Sequence, residues 1–478
     1  MSDPPSSPRP SRTRSRDDRT RLPSVDALLQ TPSARELLET HPRVRVLDAV
    51  RAVLEQVRRQ HDPCETVDPP ALVTRAAEWL ETDEFQRLRP VINATGVILH
   101  TQLGRAVLPS AAVAALAEMD RCCSLQIDLD TGERGKRHAM TERLICRLTG
   151  AEAALVVNNN AAATLLALAV LCAGREVVVS RGQLIEIGGS FRLPDCIRQA
   201  GATLVEVGTT NKTHLRDYEA AINERTAAVL LVNPSNYRIV GFTKQVPVAD
   251  VVGLKKQWPH LHVIDDLGCG ALVDLTRFGL PYEPTAPESL RSGADLALFS
   301  GDKLIGGPQA GILAGRADLL ARIRKHPLTR MLRVGKLTDL ALERTLRLFL
   351  APERLTETNP TWRMLTADPA HVRKRAEALA TAVRQAGVAA ESVRCVPCAS
   401  TTGGGSLPAH PLSSYGVAVT SDRVSATEIL RRLRRQDPPV IGRIDQDAVL
   451  LDVRTLLEGE DAAVGAALVA ALASEGEA

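Results

Sequence analysis

The chain has 478 residues, 59 Lys and Arg against 56 Asp and Glu for a net charge of +3, 44% hydrophobic residues, and only 3 Trp, 4 Tyr and 6 Phe. At about 150 residues per domain this length predicts roughly three domains with aliphatic cores, and the even charge balance excludes a protein held on nucleic acid by bulk charge, so any RNA contact is local. No run approaches the ~18 apolar residues of a membrane span and the N-terminus lacks an apolar signal core, so a cytoplasmic protein without membrane contact is expected.

Residues 1–22, rich in Pro, Ser and Arg with little to bury, predict a disordered basic tail whose arginines either touch RNA phosphates or are simply solvated. From 23 to 87 the apolar positions recur at helical spacing, as in LLQTPSARELLETHP and VRVLDAVRAVLEQVRRQ, and predict a small helical domain. Its Arg51, Arg58 and Arg59 read either as an RNA-facing strip or as the wet side of an amphipathic helix. Residues 88–350 alternate short aliphatic runs (AALVVN, REVVVS, ATLVEVG, AAVLLVN, LHVIDD, DLALFS) with helical or Gly-rich stretches. That texture predicts an α/β domain, a mostly parallel sheet covered by helices. Residues 351–478, with helical patterns at HVRKRAEALATAVRQAG and SATEILRRLRRQ and short strands at VAVTS, PPVIGRI and AVLLDV, predict a smaller α+β domain. Nine scattered cysteines fit reduced buried thiols better than a disulfide framework. Cys395 and Cys398 have CxxC spacing, but no second pair or nearby His completes a zinc site, so no metal is expected.

Three segments carry chemistry. In DLALFSGDKLIGGPQAGILAG (295–315) a strand ending at Phe299 delivers Ser300, Asp302 and Lys303 to a Gly-rich turn. An ammonium is costly to desolvate, and a lysine placed there acquires the depressed pKa that Schiff-base chemistry needs. In VIDDLGCG (263–270) a strand brings two carboxylates to its C-terminal end, where ligands of open α/β sheets gather. Alternation puts Asp265 and Asp266 on opposite faces. The D-x-x-small/polar pattern selects Asp266 as partner for the protonated ring nitrogen of pyridoxal phosphate, with Asp265 capping the next turn. In LVVNNNAAATLLALAVL (155–171) a strand passes through a polar turn into a helix, and the helix start with Asn159 and Asn160 offers a phosphate cradle, though Asn is also an ordinary N-cap. The succession of turn, carboxylate and lysine is more specific than any one part.

These segments sit among long motifs: LRPVINATGVILHTQLGRAVL (88–108), SRGQLIEIGGSFRLPD (180–195), VGTTNKTHLRDYEAAI (207–222), NPSNYRIVGFT (233–243), FSGDKLIGGPQAGI (299–312), HPLTRMLRVGKLT (326–338) and GGGSLP (403–408). In them the chain resembles the bacterial selenocysteine synthases, the L-seryl-tRNA(Sec) selenium transferases, from Leu88 to about Asp452, and the helical stretch before them fits that family's N-terminal tRNA-binding domain. The resemblance implies a pyridoxal-phosphate enzyme of fold type I, a homo-oligomer built of dimers that in many members forms a decamer. Lys303 would hold the cofactor as an internal aldimine, Asp302 would assist catalysis, and Asn159, Asn160 and Ser300 would line the cofactor site with Asp266. Arg105, Arg330 and Arg333 match basic family positions suited to a substrate phosphate or the selenium-donor anion; Arg134 and Arg137 match others, with a surface salt bridge as the plainer reading of each.

The reaction so implied converts seryl-tRNA(Sec) to selenocysteinyl-tRNA(Sec): Lys303 is the general base, water is eliminated to an aminoacrylyl intermediate, and selenium from selenophosphate adds to it. Four positions depart from the family pattern: Cys269 for Ser, Gln102 for Asn, Lys212 for Arg, and Gly335 for an acid. Only Lys212 loses a planar fork. The alternatives are a pyridoxal-phosphate lyase acting on a small amino acid or amino sugar, against which the helical N-terminal region argues, and a tRNA-binding scaffold without catalysis, against which Lys303 and Asp266 argue.

Overall fold

The computed structural model describes residues 22–60, 68–81, 88–408 and 410–473, in two compact units, one up to Pro90 and one from Val91 onward. The tail expected at 1–22 lies, Leu22 aside, outside the described residues. In the first unit, helices Val25–Leu29, Pro32–Thr40, Arg43–Gln60 and Pro69–Glu81 enclose Leu28, Val46, Val50, Leu54, Leu72 and Ala76. Ser24 and Thr31 start the first two helices by accepting the N–H groups of Ala27 and Ala34, and Pro32 occupies a first-turn position that needs no donor. Arg51, Arg58 and Arg59 are exposed, and Glu55 lies 3.7 Å from Arg58 and 3.4 Å from Arg59.

The strands of the second unit are β1 (Ile92–Asn93), β2 (Ala153–Val157), β3 (Glu176–Ser180), β4 (Glu186–Ile187), β5 (Phe191–Arg192), β6 (Thr203–Val207), β7 (Thr226–Val232), β8 (His262–Gly268), β9 (Leu296–Ser300), β10 (Gly311–Gly315), β11 (Val393–Ser400), β12 (Leu412–Val419), β13 (Val440–Ile441), β14 (Arg443–Asp445) and β15 (Ala448–Asp452). Seven form the main sheet in the order β2-β10-β9-β8-β7-β3-β6, parallel except for β10, which runs antiparallel to both its neighbours. The central strands are buried along their whole length, which explains unbroken runs such as VVV and AAVLLV where a half-wet strand would alternate. The mostly parallel α/β architecture is the one expected. The sequence reading missed β10, since GILAG follows directly on a Gly-rich turn and carries no alternation.

The C-terminal residues form a four-stranded antiparallel sheet, β11-β12-β15-β14, packed against helices Pro369–Gln385, Ala426–Leu433 and Glu460–Leu472. Edge strand β11 is not among the expected strands; it contains Pro397, which an edge tolerates. β1 pairs in parallel with β13, so the chain just after residue 90 is tied to residues 440–441. Cys395 and Cys398 lie on β11 three residues apart and face different clusters, the first against the Val372 and Leu379 core, the second beside Ala418 and Leu450. The described cysteines are free thiols, but Cys122 and Cys123 are exposed, which corrects the expectation that the thiols are buried; Cys64 lies outside the described residues.

Candidate active site

Lys303 sits in the turn that joins β9 to β10, 5% exposed although it is a lysine. The turn stands on the C-terminal part of the chain: Trp362 Nε1 donates to Leu304 O at 2.8 Å, and Asn359 Nδ2 donates to Ile305 O at 2.9 Å. Burial first, and then the nearby Arg105 guanidinium, push the Lys303 ammonium below the usual lysine range, so the neutral amine is more available than on a surface lysine.

Asp266, near the end of β8, is buried and held by three donors. Asn160 Nδ2 gives to Oδ1 at 2.7 Å, Thr164 Oγ1 to Oδ2 at 2.8 Å, and Gly268 N to Oδ1 at 3.2 Å. Asn160 and Thr164 lie one turn apart on helix Asn160–Leu171, so a single helix face orients the carboxylate. Burial raises its pKa, and the bonds from Asn160 and Thr164 oppose that rise. The sequence reading found Asn160 but not Thr164, whose spacing four residues on was the available signal.

Asp265 does not cap the following turn, as had been expected; Asp266 takes the Gly268 N–H instead. Asp265 lies on the other face of β8 and lines a cavity of 660 Å³ with Ser180, Asn233 and Glu288. Burial pushes its pKa up to about 7. Its folded-state pKa lies above the ordinary 3.8, so the stability linked to its protonation is fully present below about pH 4 and is lost as pH rises through about 7. Asp265→Asn should therefore be more stable than the parent at about pH 8, by up to roughly 4 kcal/mol, and nearly equal to it at about pH 4, as read from urea midpoints. An unchanged pH dependence would show that Asp265 ionises freely in the folded chain.

Asn159 is the N-cap of helix Asn160–Leu171, its side chain accepting Ala162 N at 2.9 Å. The N–H groups of Asn160 and Ala161 are left at the helix start, an arrangement that favours an anion. Gly311 on β10 packs against Asn159, where a Cβ would collide with its carbonyl. Arg333 pairs through its backbone with Val157, and Asn158 N donates to Leu332 O at 2.9 Å, which brings this segment alongside the turn. The side chains of Arg330 and Arg333 are exposed and have no ion-pair or hydrogen-bond partner among the described residues. Arg137 instead bonds His138 Nε2 and Val334 O, a structural role, and Arg134 lies in the exposed hairpin opposite Ile127.

Arg105 follows Gly104, and both have left-handed backbones, φ 63° and 86°. Such a conformation in a non-glycine residue is disfavoured and persists where the surroundings impose it. Here it turns the guanidinium toward Asp302, with Nε 3.6 Å from Oδ2. Asp302 and Ser300 are both buried, next to Lys303. The structure thus gathers Lys303, Asp302, Ser300, Arg105, Asp266, Asn160 and Asn159 at the C-terminal ends of the parallel strands. A buried amine, a fixed carboxylate on the neighbouring strand and a helix start open to an anion are together the donor set that suits an aldehyde cofactor with a basic ring nitrogen and a phosphate.

The profile of the L-seryl-tRNA selenium transferases matches residues 91–457, and that of the selenocysteine synthase N-terminal region matches residues 21–58. The chain belongs to the L-seryl-tRNA selenium transferase family. It is 49% identical to the L-seryl-tRNA(Sec) selenium transferase of Nitratidesulfovibrio vulgaris, over 94% of this chain and 98% of that one. To the enzyme of the same name from Moorella thermoacetica it is 48% identical, over 94% and 96%. Among solved structures it is similar in fold to D-glucosaminate-6-phosphate ammonia-lyase, with a TM-score of 0.56 and 24% identity over 80% of this chain and 96% of that one. That likeness bears on the fold alone. The transferase family's N-terminal profile falls on the small helical unit, which the sequence reading had set apart.

Proposed function

We infer that this member of the L-seryl-tRNA selenium transferase family converts L-seryl-tRNA(Sec) to L-selenocysteinyl-tRNA(Sec) with pyridoxal phosphate as cofactor and selenophosphate as selenium donor. The observation that carries this reading is the buried Lys303 beside Asp266 and the open helix start, in a chain nearly half identical to transferases of that name over almost its whole length. Pyridoxal phosphate, when bound, serves as the electron sink for a carbon that loses a proton. Lys303 would bear the cofactor, Asp266 would hold its ring nitrogen protonated, and the turn at Asn159 and Asn160 would take its phosphate.

The residues of the chain then divide the work. Lys303 Nζ, with its depressed pKa, takes the proton from the α carbon of the seryl group. The proton so taken can pass from Lys303 to the departing hydroxyl, which leaves as water, while Asp302, held toward Arg105, lies beside the lysine to assist. Arg105, Arg330 and Arg333 bind oxyanions, either the selenium donor or a tRNA phosphate, through their guanidinium forks. The helical unit, with exposed Arg51, Arg58 and Arg59, would meet the tRNA, whose arms are told apart by shape. A homo-oligomer is part of this reading, and exposed Val113, Met331 and Leu337 are apolar side chains that association of copies could cover. Among the described residues no helix is long and apolar enough to cross a membrane. A cytoplasmic enzyme is the reading that fits a tRNA substrate.

The test is to supply the protein with pyridoxal phosphate and selenophosphate, give it seryl-tRNA(Sec) or seryl-tRNA(Ser), and identify the amino acid released from each RNA. Selenocysteine from the first RNA alone is the expected result. Unchanged serine from both, with every reagent shown to be competent, would move the reading to a small-molecule lyase.

A further inference from the structure

Glu283 is a buried carboxylic acid, and among the described residues no lysine or arginine is bonded to it. One oxygen accepts Leu407 N at 2.8 Å and the other accepts Asn233 Nδ2 at 3.1 Å. A buried carboxyl without a cation bonded to it is costly to keep: burial raises its pKa, and the bonds from Leu407 and Asn233, the Cys269 thiol and the charge of Lys303 oppose that rise. Its two partners lie on opposite sides of the site already described.

On one side, Asn233 follows the end of β7 and donates its backbone N–H to Asp266 O at 2.9 Å. On the other, Leu407 belongs to the loop that leaves Thr402 and returns to β12. The start of that loop is pinned to the chain ahead of Arg105: Ile98 N donates to Thr401 O at 3.0 Å and Leu99 N to Thr402 O at 2.8 Å. Gly405 at its crest touches the catalytic lysine. A Cβ there would stand 2.6 Å from both Cε and Nζ of Lys303, so only a glycine lets the backbone come this close. Leu407 has a left-handed backbone, φ 47°, although it is not glycine, and its side chain is buried. A conformation that is disfavoured by itself is held by the bond to Glu283.

We propose that Glu283 is a positioning residue for the transferase reaction, latching the loop Gly403–Leu407 onto Lys303 and so fixing the direction of the reactive amine. This rests on reading Lys303 as the cofactor-bearing residue. The latch joins Asp266, Asn233, Glu283, Leu407 and Gly405 in one chain of contacts that closes around the lysine. It also makes the loop, which lies about a hundred residues further along the chain, part of the active site.

Three variants test it in the full-length chain. Glu283→Gln keeps an oxygen acceptor for Leu407 N–H, Glu283→Leu removes both acceptors at similar volume, and Glu283→Asp shortens the reach. In the protein without cofactor, amide hydrogen exchange at residues 403–407 should quicken about tenfold in Glu283→Leu and stay near the parent rate in Glu283→Gln. With pyridoxal phosphate and seryl-tRNA(Sec), kcat should fall about tenfold or more in Glu283→Leu at nearly constant KM, and Glu283→Gln should restore it. If Glu283→Leu does not fold, Glu283→Asp decides, with the same two changes in smaller measure. Unaltered exchange in the loop, or faster exchange with unaltered kcat, would overturn the proposal. Should the cofactor prove to sit on another residue, the exchange experiment would still show whether the latch exists.

Discussion

Lys303→Ala should fold normally and lose turnover by at least about 10²–10⁴-fold, the contribution of a positioned general base, with the loss of covalent anchorage adding to it. The neighbours cannot take over. Asp266 has both oxygens engaged by Asn160, Thr164 and Gly268, and Arg105 lies against Asp302. The stability effect has the opposite sign. Burial holds the folded-state pKa of Lys303 below that of the unfolded chain, so at pH values below the unfolded pKa, neutral pH included, keeping this amine in the fold costs stability, and the cost fades as pH rises past that pKa. Removing the amine lifts that cost, and the variant should melt no lower than the parent at about pH 7. The measurements are single-turnover formation of selenocysteinyl-tRNA, the visible absorbance of the cofactor-loaded protein, and a thermal melt. Colour and turnover that survive the substitution would place the anchor elsewhere.

Trp362→Ala should destabilise the second unit strongly, by about 3–5 kcal/mol. Trp362 is completely buried on helix Pro360–Thr366, with its ring 4.9 Å from that of Phe278 and 6.2 Å from that of Phe349. Its Nε1 bonds Leu304 O, next to Lys303, so the alanine leaves a cavity and also an unanswered carbonyl under the turn that carries Lys303. Trp362→Phe, which keeps most of the volume and loses the bond, should cost less, about 1–3 kcal/mol. Urea unfolding gives both numbers. A cost near zero for the alanine would mean that the turn carrying Lys303 is supported by something other than this side chain.

Much of the site could be read along the chain because its parts are local. Lys303 in its Gly-rich turn, Asp266 at a strand end and the NNN turn before a helix each announce themselves within a few residues, and their order implies that the parallel strands bring them to one edge. Asp265 was assigned to the wrong task for the same reason: alternation separates two neighbouring carboxylates but does not say what either one faces. Thr164 was missed because its partner is 102 residues away.

Composition, periodicity and motif spacing by themselves determined the α/β class and set apart the helical N-terminal unit, and they brought out Lys303 and Asp266 as candidates, since each depends on burial or backbone geometry within a short stretch. Tertiary structure alone decided that β10 runs antiparallel inside the sheet, that Trp362 and Asn359 support the lysine turn, that Arg105 turns toward Asp302, and that Glu283 joins Asn233 to Leu407. These pairings link residues tens to hundreds of positions apart. Their energy exists only when the chain has closed the loops between them, so no short window of sequence contains it.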